Sequence, residues 1–149
     1  MRQRGTLVVM AVVLLAGAAP EREAEQSDLE KLQGDWKTKS FLLGGGPLPK
    51  EKQFPDRLMT IKGDSFSEFR GGKVAVRGTL KLDSSTSPKH LNATFTQGGP
   101  TGETVRGIYE LDGDTLKVCV GTPDTERPAK FESLSGTKLR LIVYERKRP

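Results

Sequence analysis

The chain has 149 residues, enough for one domain rather than two, and its 24 basic and 19 acidic residues give a net charge of +5. That balance is too mild for a nucleic-acid surface, which takes a basic stripe interleaved with aromatic residues. Cys119 is the one cysteine, so no internal disulfide can form and the core must hold the fold unaided.

Residues 1–19 read as a signal peptide. Arg2 and Arg4 form a positive start, Thr6 to Leu15 is almost wholly apolar, and Ala16, Gly17, Ala18 and Ala19 supply a small-residue cleavage site. The apolar run falls short of the roughly 20 residues that a spanning helix needs. Leu15-Ala16-Gly17 would suit a lipoprotein signal if a cysteine followed, but position 18 is Ala. The expected product is secreted or periplasmic, cut near Ala18 or Ala19, with no membrane insertion afterwards. Losing Arg2 and Arg4 takes the basic count from 24 to 22 against 19 acids, a net charge of about +3. Residues 20–26 read as a flexible spacer, and 27–149 as the domain.

Ser27-Asp28-Leu29-Glu30 matches a capping box, with Ser27 as N-cap and Glu30 three residues on. Leu29 and Leu32 lie one turn apart, which predicts a short amphipathic helix ended by Gly34. From Trp36 onward the pattern changes to short strands. They are expected near 36–43, 57–62, 65–69, 73–82, 90–96, 104–111, 114–121, 129–134 and 137–146, with Gly-, Pro- and Asp-rich separators. No later segment is long and periodic enough for a crossover helix. The expected fold is all-β: one antiparallel meander barrel of about eight or nine strands after a short N-terminal helix.

Asp112-Gly113 carries a type I′ hairpin signal. Taken as the loop, it pairs Tyr109 with Leu116 and Gly107 with Val118. Val105, Tyr109, Leu111, Leu116, Val118 and Val120 then face inward, and Arg106, Ile108, Glu110, Thr115, Lys117 and Cys119 face outward. Alternation in the other strands extends the expected lining to Met59, Ile61, Phe66, Val74, Val76, Leu80, Phe95, Leu139 and Leu141. In the last strand Arg140, Ile142, Tyr144 and Arg146 are expected to point outward.

Gly34-Asp35-Trp36, after a short helix and opening the first strand, resembles the G-x-W motif of lipocalins. That resemblance implies a tryptophan closing one barrel end and an arginine of the last strand lying across it. Arg146 is the best match for that arginine and Arg140 the second. A longer likeness covers nearly the whole domain. Leu29 to Trp36, Gly107 to Cys119, Pro128, Phe131 and Leu141-Ile142-Val143 resemble a family of small uncharacterised lipocalin-like domains abundant in planctomycete bacteria. That family has no established activity, so the likeness implies the fold and adds nothing about chemistry.

No catalytic, metal or cofactor constellation emerges. Metal and haem sites need several soft or imidazole ligands, and the chain has one histidine, His90, and one cysteine. Cys119 has cationic neighbours in Arg106 and Lys117 but no base beside it. Glu110, Asp112 and Asp114 read as turn chemistry. Asn92-Ala93-Thr94 spells a glycosylation acceptor, idle after a bacterial-type leader. The intracellular lipid-binding barrels hold a carboxylate with Arg-x-Tyr near the C-terminus. Here the nearest pair, Arg140 and Tyr144, is four apart and expected outward, so fatty-acid binding has no support from these residues.

Two readings remain open: a non-enzymatic module binding a small hydrophobic molecule, or a structural or protein-interaction module with a packed core. In the first, Tyr109, Phe66, Phe95, Val118 and Leu141 would contact the ligand, with Tyr109 as its polar handle. Gly34, Trp36 and Arg146 would close the barrel end. An interior volume above roughly 300 Å³ separates the two.

Overall fold

The structure, a computed structural model, describes residues 27–53 and 56–149. The expected signal peptide over 1–19 and the spacer over 20–26 lie outside the described residues. A short helix, α1, covers residues 27–31. Among the described residues no helix is long and apolar enough to cross a membrane.

Nine strands follow among the described residues: β1 Gly34–Leu43, β2 Gly46–Pro47, β3 Leu58–Lys62, β4 Ser65–Arg70, β5 Lys73–Asp83, β6 Lys89–Gln97, β7 Thr104–Asp112, β8 Thr115–Val120 and β9 Arg140–Arg146. From β3 to β9 each strand pairs antiparallel with the next, and β1 pairs with both β3 and β9. The sheet closes as an eight-stranded barrel, with the two-residue β2 as an extra strand. β1 serves both seams because Gly34–Lys37 pair with β3 while Trp36–Leu43 pair with β9. A bulge between Thr38 and Ser40 lets it bend between them. Among the described residues, closure leaves no long strand edge exposed.

The turns explain the registers. Gly71-Gly72 between β4 and β5 has φ of +58° and +77°, the I′ pattern that glycine adopts without strain. The β7–β8 loop is not Asp112-Gly113 as expected but Gly113-Asp114. Asp112 pairs with Thr115, Leu111 with Leu116 and Tyr109 with Val118. Gly113 has φ +56°, and no described non-glycine residue has positive φ, so Gly alone takes the strained position, as in type II′. An Asp112-Gly113 I′ turn would have forced Asp112 there too. The pairing shifts by two residues, so every side chain on these strands keeps its expected face.

Two expectations at the C-terminal end are overturned. Residues 129–134 form no strand; they belong to an irregular crossing from 121 to 139 that packs on the outside of the barrel. Arg127 pins it, donating to Leu91 O at 2.9 Å, Gly107 O at 2.7 Å and Asn92 Oδ1 at 2.8 Å. Cys119 Sγ donates to Glu132 O at 3.4 Å, and Lys117 Nζ sits 5.3 Å from the Phe131 ring centre. Ile108 and Cys119, paired on the outer face, are therefore fully buried.

β9 also has the opposite phase from that expected. Tyr144 pairs with Leu116, Ile142 with Val118 and Arg140 with Val120, so these three face inward. Leu141 pairs with Cys119 and Val143 with Lys117, on the outer face. Choosing the more apolar face as the inner one fails here because the 121–139 crossing buries part of the outer face of the barrel beside it.

The core gathers around Trp36, Ile61, Leu82, Leu91, Tyr109 and Leu116, with Leu32 packed beneath α1. α1 covers one barrel end. Trp36 Nε1 donates to Leu32 O at 2.8 Å, which satisfies the indole's one donor while its rings stay fully buried.

Candidate ligand cavity

Inside the barrel is a cavity of about 390 Å³. It runs from Leu32 under α1 to a mouth at the opposite end, where Leu43, Leu48, Lys52, Gly99 and Pro100 contribute. Its middle is apolar, walled by Met59, Ile61, Val76, Leu80, Ala93 and Val118 among others.

Phe66 and Phe95 stand in the wall edge to face, with ring centres 6.0 Å apart and planes at 86°. Space for the Phe66 ring comes from Gly78, its β5 partner: a Cβ there would lie 2.6 Å from Phe66 Cε1 and 2.3 Å from Thr94 O. A glycine at that inward position lets the ring lie against the sheet.

The mouth end carries charge. Arg57 Nε lies 2.9 Å and Arg70 Nε 2.8 Å from the same Glu68 oxygen, Oε1. The Arg70 contact is a hydrogen bond. The Arg57 contact is close in distance but not aligned, so this buried Nε–H has no hydrogen-bond acceptor among the described residues. The Arg57 side chain is only 9% exposed, and its guanidinium carbon lies 4.5 Å from the Phe41 ring centre. Arg140 enters from β9 with no carboxylate in ion-pair range among the described residues. Burial holds its guanidinium below the ordinary arginine value, Glu68 partly offsets this, and Arg57 and Arg70 add to it. Tyr144, fully inside, has its hydroxyl pushed up by burial and by Glu68, so it stays a neutral donor.

Of the residues expected to touch a ligand, Tyr109, Phe66, Phe95 and Val118 line the cavity. Leu141 does not, because β9 turns it outward. Leu139 precedes β9 and is likewise absent from the lining. Val74 leaves it too, since a bulge at Glu68/Phe69 pairs Val74 with the outward Phe69. Tyr109 contributes its ring, but its hydroxyl is engaged elsewhere: it donates to Asp28 Oδ2 at 2.6 Å, to which Lys89 Nζ also donates at 2.8 Å. The three tie α1 to β6 and β7.

At the covered end the structure brings Gly34, Trp36 and Arg146 together. Arg146 pairs with Trp36 across the β1–β9 seam, with its guanidinium carbon 4.3 Å from the indole centre. The guanidinium donates to Gln33 O at 2.7 Å and to Lys31 O, and contacts Asp114 at 3.3 Å. Gly34 has φ +111° with Arg146 beside it. Arg140, the second match for this role, lies at the far end of β9.

Sequence reasoning missed Arg57, Glu68 and Arg70 as interior groups. The signal was present: Arg57 lies two residues before the inward Met59, and Glu68 and Arg70 lie two and four after the inward Phe66. Among the described residues no group of three or more His, Cys, Asp or Glu side chains could hold a metal. Neither protein-family models, nor curated proteins, nor solved structures return a match to this chain.

Proposed function

We propose that the protein is an exported, non-enzymatic lipocalin-like module that holds a small hydrophobic molecule inside its barrel. The cavity carries this reading. Small-molecule sites fall in the range of roughly 300–1,000 Å³ and are mostly apolar with a few placed polar groups; this one is about 390 Å³. Protein interiors packed to normal density leave few voids larger than a water molecule, so a filled-core interaction module fits the volume less well. Export is supported by Arg2, Arg4, the apolar run and Ala16 to Ala19. The likeness to the planctomycete lipocalin-like domains agrees with the barrel and leaves the ligand open.

The test is a titration of the purified domain with N-phenyl-1-naphthylamine, a neutral dye that fluoresces in apolar surroundings. Saturable one-to-one binding is expected. A linear, unsaturable rise would count against a ligand cavity and in favour of the packed module. Native mass spectrometry of protein purified from its own host would then identify what it carries.

A further inference from the structure

We infer that the ligand is an amphiphile with an anionic headgroup, its oxyanion seated among Arg57, Arg70 and Arg140 and its tail running toward Leu32. This rests on the reading that the cavity binds a small hydrophobic molecule, and specifies its chemistry.

The first observation is a charge imbalance. Among the described residues, Arg57, Arg70 and Arg140 line the cavity with one carboxylate, Glu68. Lys52 at the mouth adds another positive charge. Buried cations are ordinarily paired, because removing a charge from water is costly unless a counter-charge replaces the lost solvation. Glu68 serves Arg57 and Arg70 through one oxygen and leaves Arg140 without a partner carboxylate among the described residues.

The second observation is an unused donor. Arg57 Nε is buried and finds no aligned acceptor among the described residues. The planar guanidinium fork suits carboxylate and phosphate oxyanions, which accept two parallel hydrogen bonds. An oxyanion placed here would meet, at Arg57, a donor already desolvated and held in position by the barrel wall.

The third is polarity along the axis. All three arginines sit at the mouth end: Arg57 just before β3, Arg70 at the end of β4 and Arg140 at the start of β9. Past Tyr144 the wall is apolar down to Leu32, apart from Tyr109, whose hydroxyl is bonded to Asp28. A molecule with one charged end and one apolar end matches that gradient in a single orientation. At ~30 Å³ per water-sized group, 390 Å³ holds about thirteen non-hydrogen atoms, the size of a ten-carbon chain with its headgroup.

Calorimetric titration of the purified domain with decanoate, 1-decanol and decyltrimethylammonium tests this. Decanoate should bind at least tenfold tighter than decanol, and the cationic amphiphile weakest. Arg140→Met should remove the preference for decanoate and leave decanol affinity within about twofold. Decyl phosphate binding as well as decanoate would support the same oxyanion seat. Decanol matching decanoate in the wild type, or decanoate binding unchanged in Arg140→Met, would overturn the inference while leaving a hydrophobic ligand standing. Failure of every amphiphile to bind would overturn both. The wild-type comparison decides the matter alone if Arg140→Met does not fold.

Discussion

Arg146 and Trp36 are cross-strand partners on the β1–β9 seam, and the guanidinium carbon of one lies 4.3 Å from the ring centre of the other. Their contact joins the first and last strands of the barrel beneath α1. The same guanidinium holds the carbonyls of Lys31 and Gln33 at the end of the helix, so one side chain contributes both to the closing seam and to the placement of its cap.

Trp36→Ala should therefore cost about 3–5 kcal/mol, as truncation of a fully buried large aromatic does. Arg146→Met should cost about 1–3 kcal/mol, from the lost cation–π contact and the charged hydrogen bonds to backbone carbonyls. Chemical denaturation of the two variants measures both. A midpoint unchanged in Trp36→Ala would show that this end of the barrel is not held by the indole.

Acid should loosen the cap. Burial alone would push the Asp28 carboxyl up, but hydrogen bonds from Lys89 and Tyr109, with the charges of Lys89 and Lys31, hold it below the usual carboxylate range. A carboxyl depressed in the folded state contributes stability that is present above its unfolded pKa of about 3.9 and is lost as pH falls through the lower folded value. Stability measured from pH 6 down to pH 2 should fall less steeply in Asp28→Asn than in the wild type. Tyr109→Phe should cost about 1–3 kcal/mol at neutral pH, because it removes a donor from a buried carboxylate.

Cys119 should resist thiol reagents in the folded protein. It faces outward from β8 but is fully covered by the 121–139 crossing, and burial pushes its thiol above the ordinary value, further from the reactive thiolate. Reaction with a chromogenic disulfide should be slow in buffer and fast in denaturant. Fast reaction in buffer would mean that the crossing does not stay on the barrel.

Gly113→Val should destabilise the β7–β8 hairpin by about 1–3 kcal/mol, since φ +56° is strained for any β-branched residue. The titration of Asp114 tests the turn assignment separately. With Asp114 in the loop, its carboxylate meets Arg146 and Arg148, and these contacts hold it below the usual range. Acid titration of Asp114 followed by NMR should show that depression, and an ordinary carboxyl value would contradict the placement.

The barrel was legible because its signals are local: alternation in β5 to β8, glycine turns at short intervals, and a G-x-W after a helix-capping sequence. The hairpin error was harmless to the faces because I′ and II′ loops one residue apart displace the pairing by two. β9 was harder. Both of its faces carry apolar residues, and the crossing that covers part of the outer surface has no periodicity to announce it. The arginines were hidden by the rule that charged residues face water, although their spacing from Met59 and Phe66 placed them inside. Asp28 gave no signal at all, since its partners lie 61 and 81 residues away.

Methyl NMR during titration with 1-decanol reports whether a ligand occupies the barrel interior. Saturable shifts are expected at Met59, Ile61, Leu80 and Val118, which wall the cavity. Ile108 and Val143, on the outer face, should stay still. Shifts confined to the outer face, or none at saturating decanol, would contradict it.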